Sequence, residues 1–370
     1  MHDVVIVGGG VIGLSIARES AANGHSVLVL ERGETGEGAS WAAAGMLAPQ
    51  SEAEQRGPLF DLCAASHRLY REWVHQLQDQ SGVDLEYVES GLLFLAQTDI
   101  DLDALRQRTA WHRGAGMKFE ALSAEEAKKL EPAITMPLAG AILMPDEHHI
   151  TPRKLAAGLR AACTVSKPGK IEIRTGKQVE EIVTDGQRVT GVRVGQDVIA
   201  ASTVVIASGA WTPAIKGLQP QIPVSPRKGQ ILSLGMPGPG VFGRIIRWGR
   251  TYAVPRPNGD LIVGATNEDV GFDRSLTPSG IGQLLTAAQA LSNAAAGFPI
   301  QEMWTGLRPS TPDGLPVLGR SALSGLIYST GHYRNGVLLA PITAEIITAL
   351  IENRPPPMPL EAFAPTRFAV

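Results

Sequence analysis

Residues 3–33 read DVVIVGGGVIGLSIARESAANGHSVLVLERG. The apolar run Val4 to Val7 predicts a buried strand, and Gly8, Gly10 and Gly13 follow it with G-x-G-x-x-G spacing. A helix is expected from there to about Asn23, with Gly24 as its stop. Ser26 to Leu30 reads as a second strand, and Glu31 closes it. Each part has a physical task. Gly8 permits the sharp turn, Gly10 lets a pyrophosphate approach the backbone, and Gly13 lets helix and strand pack closely. Val11 and Ile12 open the helix, whose free N–H groups and partial positive end favour a phosphate. Glu31 can accept hydrogen bonds from ribose hydroxyls, and Arg32 follows it. A Gly-rich turn alone is weak evidence, but strand, turn, helix, strand and acid together point to a dinucleotide site. They do not separate NAD from FAD.

The 370 residues suit two domains, and 44% apolar against 19% charged residues describes a globular chain. Glycine is frequent, 41 residues, which implies many tight turns or close backbone approaches. A net charge of −3 argues against nucleic-acid binding by bulk electrostatics. Two cysteines, Cys63 and Cys163, with no CxxC exclude a disulfide framework and a cysteine zinc site, and they fit a reducing compartment. The N-terminus enters a strand at once, and no apolar run approaches ~18 residues. A cytoplasmic location without a transmembrane segment is expected. The Pro-rich C-terminal RPPPMPLEAFAPTRFAV should stop the last helix and leave an extended tail.

After Glu31 comes TGEGASWAAAGMLAPQSEAEQ. Ala39, Ser40, Ala44, Gly45 and Met46 belong to a run of mostly small residues, Trp41 apart. Small side chains let the backbone lie against a large planar ligand and donate N–H groups to it. A short Ala-rich helix is a compatible reading. Further on, LFDLCAASHRLYREWVHQLQDQSG has helical spacing. Ser123 to Glu126 fits a capping box, and Thr151 with Pro152 reads as N-cap and N1 of another helix. His148 and His149 are adjacent with no third ligand at a recognisable spacing, so a surface turn is expected there and no metal. The stretch from Lys177 reads as a β-meander turning at Asp185-Gly186, then a buried strand that ends at Ser208-Gly209. From Pro223 the chain reads as consecutive antiparallel strands with a hairpin at Asn258-Gly259, a plausible pocket wall.

Within WTGLRPSTPDGLPVLG, Arg308 stands among apolar residues and turn formers. Composition alone favours a structural ion pair for it. Five features in this order now resemble one family: the N-terminal fingerprint, GASWAAAGML, TYAVPRPNGDLIVGAT, WTGLRPSTPDGLPVLG and GHYRNGVLLAP. Together they resemble the FAD-dependent amine oxidases of the D-amino-acid oxidase type. Within that family they are most similar to the glycine oxidases of thiamine biosynthesis.

The resemblance implies an α/β plus α+β fold. A discontinuous Rossmann-like FAD-binding domain, residues 1–85, 146–220 and 305–370, would carry an inserted antiparallel-sheet substrate domain, residues 86–145 and 221–304. It implies non-covalent FAD, with no cysteine near the C-terminal flavin loop. Val179 would meet the adenine, Gly209 would lie at the returning strand, and Gly331, His332, Tyr333, Arg334, Asn335, Gly336, Val337 and Leu338 would pass the flavin ring. Arg308 would clamp the substrate carboxylate, because its planar fork makes two parallel charge-assisted bonds. Tyr252 would bind the other oxygen, although a core tyrosine is the plain alternative. Arg334 would lie near flavin and substrate. Arg250 and Asn267 would line the pocket mouth, where the glycine oxidases lead one to expect histidine and methionine. The following helix would start at Pro341, or near Val337 with a bend.

The implied reaction is hydride transfer from a small amino acid to flavin, with O2 reoxidation to H2O2 and an imine that hydrolyses to glyoxylate and ammonia. D-amino-acid or sarcosine oxidation, and a non-catalytic flavin-binding role, are the alternatives. Thiazole synthase is the implied partner, and a homo-oligomer the implied assembly.

Overall fold

Val4–Val7 lies inside a six-stranded sheet in the computed structural model, which describes residues 2–165, 170–238 and 240–369. The strand order is Val317–Arg320, Leu326–Thr330, Val204–Ile206, Val4–Val7, Val27–Leu30, Ile171–Arg174. All neighbours are parallel except the first pair. The central strands Val204–Ile206, Val4–Val7 and Val27–Leu30 are apolar throughout because both their faces are covered. Val4 and Ile6 join one core with Leu14 and Ile16 of the helix Val11–Ala22 and Ile346 of the helix Ala340–Ile351. Val5 and Val7 point the other way and pack with Ile182, Val189 and Val192 of a three-stranded meander. The meander turns after Thr184 through Asp185-Gly186, as its residues predict.

The first helix ends at Ala22, and Gly24 follows with φ +101°. At its other end the approach to the strand is close. A Cβ on Gly13 would lie 1.9 Å from the Gly8 carbonyl oxygen, and one on Gly8 would lie 2.5 Å from that of Ala207. No side chain fits at either place.

The second large sheet has eight strands. Their order is Ile300–Ser310, Ser225–Gly235, Asp260–Gly264, Thr251–Pro255, Ile245–Trp248, Leu92–Ala96, Gly140–Met144, Glu120–Ser123. The hairpin at Asn258-Gly259 is present. The sheet is not purely antiparallel, as the sequence suggested, because Ile245–Trp248 runs parallel to Leu92–Ala96. These two strands come from separate stretches of chain. No hairpin joins them, so none fixes an antiparallel direction.

The eleven-residue strands Ser225–Gly235 and Ile300–Ser310 pair along most of their length, with Gly229 opposite Gly306 and Arg227 opposite Arg308. Arg308 therefore stands on a strand and not on a loop, and this strand crosses the expected boundary at 304/305. The short helix Ala39–Ala42 abuts it, and Trp304 Nε1 donates to the Ala42 carbonyl at 3.1 Å.

Four local readings need correction or completion. His148–His149 is not a surface turn: it pairs with Met46–Leu47, and buried His149 lies 3.2 Å from an Arg256 nitrogen. Pro152 does begin a helix, but the Thr151 hydroxyl donates to Glu86 at 2.6 Å. The C-terminal tail is not extended. It turns at Glu361–Phe363 and Pro365–Phe368, buries Phe363, and ties Arg367 to Asp313 at 2.7 Å. The last helix begins at Ala340 with Pro341 in its first turn, where a missing N–H costs nothing. The Ser123 capping box is formed as the sequence predicts.

Gly13→Ala is expected to lower stability by about 1–3 kcal/mol, because a methyl forced against a backbone carbonyl overpacks the joint. Urea unfolding of the two proteins measures the difference.

Candidate active site

A cavity of about 880 Å³ runs between the two sheets, within the usual range for small-molecule sites. One end is the N-terminal turn. Val11 N–H donates to the Ser40 hydroxyl at 2.9 Å, and the helix start carries neither a capping side chain of its own nor an acid in its first turn. Its positive end is thus left facing the cavity, as an anion-binding helix end requires. The Glu31 carboxylate is aligned by Gly9 N–H at 2.7 Å and Gly33 N–H at 2.9 Å. Arg32 lies 3.5 Å from the centre of the Trp211 ring, and burial lowers its pKa against the opposing effect of Glu31. Gly8, Gly10, Val11, Ile12, Glu31, Arg32, Val179 and Gly209 all line this end.

Ala39, Ser40, Ala44, Gly45 and Met46 line the middle, opposite His332 to Val337. His332 is buried, with Nε2 3.2 Å from the Thr343 hydroxyl, and burial pushes its pKa down to about 3. It is therefore neutral across the physiological range.

At the far end Tyr252 lies within electrostatic reach of Arg308 and Arg334, Asn267 meets Tyr333, and Arg250 lines the same cavity. The Arg308 guanidinium lies flat on Gly229: a Cβ there would meet its nitrogens and Cζ at 2.3–2.5 Å. One of its nitrogens donates to the Thr266 carbonyl at 3.2 Å, and it faces the Tyr252 phenol. No carboxylate pairs with Arg308 among the described residues. Burial raises the Tyr252 pKa, and Arg308 opposes that shift. Beneath the Thr266 wall, the side chain of Lys228 is 1% exposed and holds Asp273 at 3.0 Å and Glu268 at 3.2 Å. Gln230 N–H donates to the Thr266 hydroxyl at 2.8 Å. Asn267 accepts from the Tyr333 hydroxyl at 3.4 Å. The carbonyl that orients Arg308 is thus fixed by buried polar contacts.

Three expected cofactor residues do not line the cavity. Gly13 serves the helix–strand joint, Gly331 is a φ +74° position against Thr311, and Leu338 is in the core with its carbonyl bound by Ser66. Other lining residues were not anticipated: Glu52, Arg247, Lys177 and Trp211. Arg247 had a signal, a lone charge inside the apolar strand IIRW. Glu52 had none, for it lies in a short helix, Pro49–Glu52, whose partners are distant in sequence.

The Arg308 guanidinium, which has no carboxylate partner among the described residues, is chemically suited to a small anion. Gly229→Ala would push the guanidinium aside without touching the backbone. Acetate affinity, read by calorimetry, is expected to fall roughly tenfold or more, with thermal stability little changed. Buried His332 gives a second prediction. The unfolded chain takes up a proton near pH 6.5 that the folded state refuses until about 3. Its contribution to stability is therefore lost as pH falls from about 6.5 to about 3, by about 1.4 kcal/mol per unit. His332→Asn should remove that slope from urea unfolding measured over acidic pH.

Comparison with known proteins identifies the family. Residues 3–350 match the family model described as DAO, FAD dependent oxidoreductase. A bifunctional protein ThiO/ThiG of Synechocystis sp. is 38% identical over 99% of this chain and 54% of its own length, so the chain spans about half of that relative. A glycine oxidase of Geobacillus kaustophilus is 35% identical over 99% of this chain and 97% of its own. The crystal structure of glycine oxidase from Geobacillus kaustophilus superposes with a TM-score of 0.93, at 35% identity, covering 99% of this chain and 98% of that one. An open helix end, an aligned acid and a run of small residues along one cavity suit FAD, and this chain belongs to the DAO family of FAD-dependent oxidoreductases.

Proposed function

We propose that the protein oxidises glycine, or another small amino acid, at the Cα–N bond. The observation that carries this is the Arg308 guanidinium lying on Gly229 without a carboxylate partner among the described residues, at the far end of the cavity that begins at the dinucleotide turn. Such a group costs desolvation and is repaid by a carboxylate that takes both of its parallel donors. Tyr252 supplies a further hydroxyl beside it. The glycine oxidase relatives support the choice of a small amino acid.

When bound, FAD supplies the two-electron acceptor, which O2 restores with release of H2O2. The chain's own contribution is placement. Arg308 and Tyr252 fix the carboxylate, so the Cα–H bond takes one direction, and the short Ala39–Ala42 wall with His332 to Val337 excludes water. Neutral His332 adds no charge to that wall. The imine product hydrolyses to glyoxylate and ammonia, or passes on. Thiazole assembly in thiamine biosynthesis is the proposed destination, with thiazole synthase as partner, and the bifunctional ThiO/ThiG relatives support it.

Glycine added to the yellow holoprotein without oxygen should bleach it, and with oxygen should yield H2O2. Arg308→Ala is expected to raise KM for glycine by roughly a hundredfold, since a bidentate charged contact is lost. Bleaching without peroxide in air would indicate a dehydrogenase. Faster bleaching by sarcosine or D-amino acids would reassign the substrate. No bleaching by any small amine would indicate a binding role without turnover.

A further inference from the structure

Five carboxylates line the cavity among the described residues: Glu31, Glu34, Glu37, Glu52 and Glu268. The first three belong to the nucleotide end. Glu268 is engaged by Lys228, Gln230 and Thr266. Glu52 alone of the five faces the cationic end. Its Oε1 lies 2.9 Å from Arg247 Nη1, and its Oε2 lies 3.9 Å from Arg334 Nη1. It also acts electrostatically on the Tyr252 phenol.

The backbone around Glu52 is held from several directions. Buried Glu147 accepts from Gln50 N–H at 2.6 Å and Ser51 N–H at 3.4 Å. Arg247 donates to the Ser51 carbonyl at 2.5 Å, and Arg108 Nε donates to the Ala53 carbonyl at 3.0 Å. A four-residue helix thus has a carboxylate on its N–H groups and guanidinium groups on its carbonyls. That is far more anchoring than a solvent-facing acid requires.

Resting on the proposed reading of this site, we propose that Glu52 is the binding partner of the substrate's ammonium group. A zwitterion held at its carboxylate by Arg308 still carries a positive charge about two bonds away. Arg247, Arg250 and Arg334 line the same end and would repel it. Glu52 Oε1 is taken up by Arg247, while Oε2, 3.9 Å from Arg334, is the oxygen left to receive the ammonium N–H groups. Carboxylate and ammonium are then recognised by opposite charges on separate elements, a strand and a short helix. A ligand with only one of the two groups satisfies only one side.

The test uses the FAD-loaded protein, with Glu52→Gln and Glu52→Asp. For Glu52→Gln, KM for glycine is expected to rise about tenfold or more near neutral pH. The affinity for acetate, which lacks the amine, should stay within about twofold by calorimetry or tighten as a nearby negative charge is removed. The KM ratio of variant to wild type should shrink at alkaline pH, where glycine loses its ammonium charge, and Glu52→Asp should recover part of the loss. An unchanged glycine KM in a wild type that glycine reduces would overturn the assignment alone. Acetate and glycine weakening in parallel would also overturn it, leaving Glu52 as a scaffold for the arginines. A wild type that glycine fails to reduce would overturn the functional reading and this assignment with it.

Discussion

The pairing of two eleven-residue strands, Ser225–Gly235 with Ile300–Ser310, is the constraint on which the site depends. It sets Gly229 within the same few residues as Arg308, so an arginine can lie flat where any side chain would lift it. The same strand carries Trp304, which grips the helix Ala39–Ala42 through the Ala42 carbonyl. One ladder therefore fixes the cation and ties the small-residue helix to the eight-stranded sheet. Side-chain entropy usually weakens a long cationic contact. Here the strand, the glycine floor and the Thr266 carbonyl restrict the arginine before any ligand arrives.

The two ends of the cavity carry positive charge by different means. At the nucleotide end the positive charge is a partial one, spread over backbone N–H groups at a helix start. At the far end it is formal and concentrated in arginine side chains. Backbone groups suit a diphosphate that stays in place, because they cannot swing away. Side chains on strands suit a small ligand that must come and go. Between them Ala39, Ala44 and Gly45 offer small side chains, and His332 is held neutral.

Much of this was legible in the sequence, for reasons tied to particular residues. The fingerprint at Gly8 to Gly13, the turns at Asp185-Gly186 and Asn258-Gly259, and the Ser123 capping box are local: spacing of a few residues decides them. Arg308, Tyr252 and Arg334 were singled out through family resemblance, and all three line one cavity. What escaped was non-local. Glu52 takes its meaning from Arg247 and Arg334, nearly 200 and 300 positions away. The parallel pair at Leu92–Ala96 and the buried His149 likewise depend on partners that no short window contains. Pro-rich composition suggested an extended tail, but Phe363 and Arg367 found tertiary partners that override it.

The six-stranded sheet draws its strands from early, middle and late stretches of the sequence. During synthesis the first strand and its helix emerge long before Val204–Ile206, and before Leu326–Thr330 closes the far side. An apolar edge of the growing sheet thus waits for residue 330 to leave the ribosome. Until those later strands emerge, the growing sheet presents an open strand edge, the kind of surface that invites mispairing.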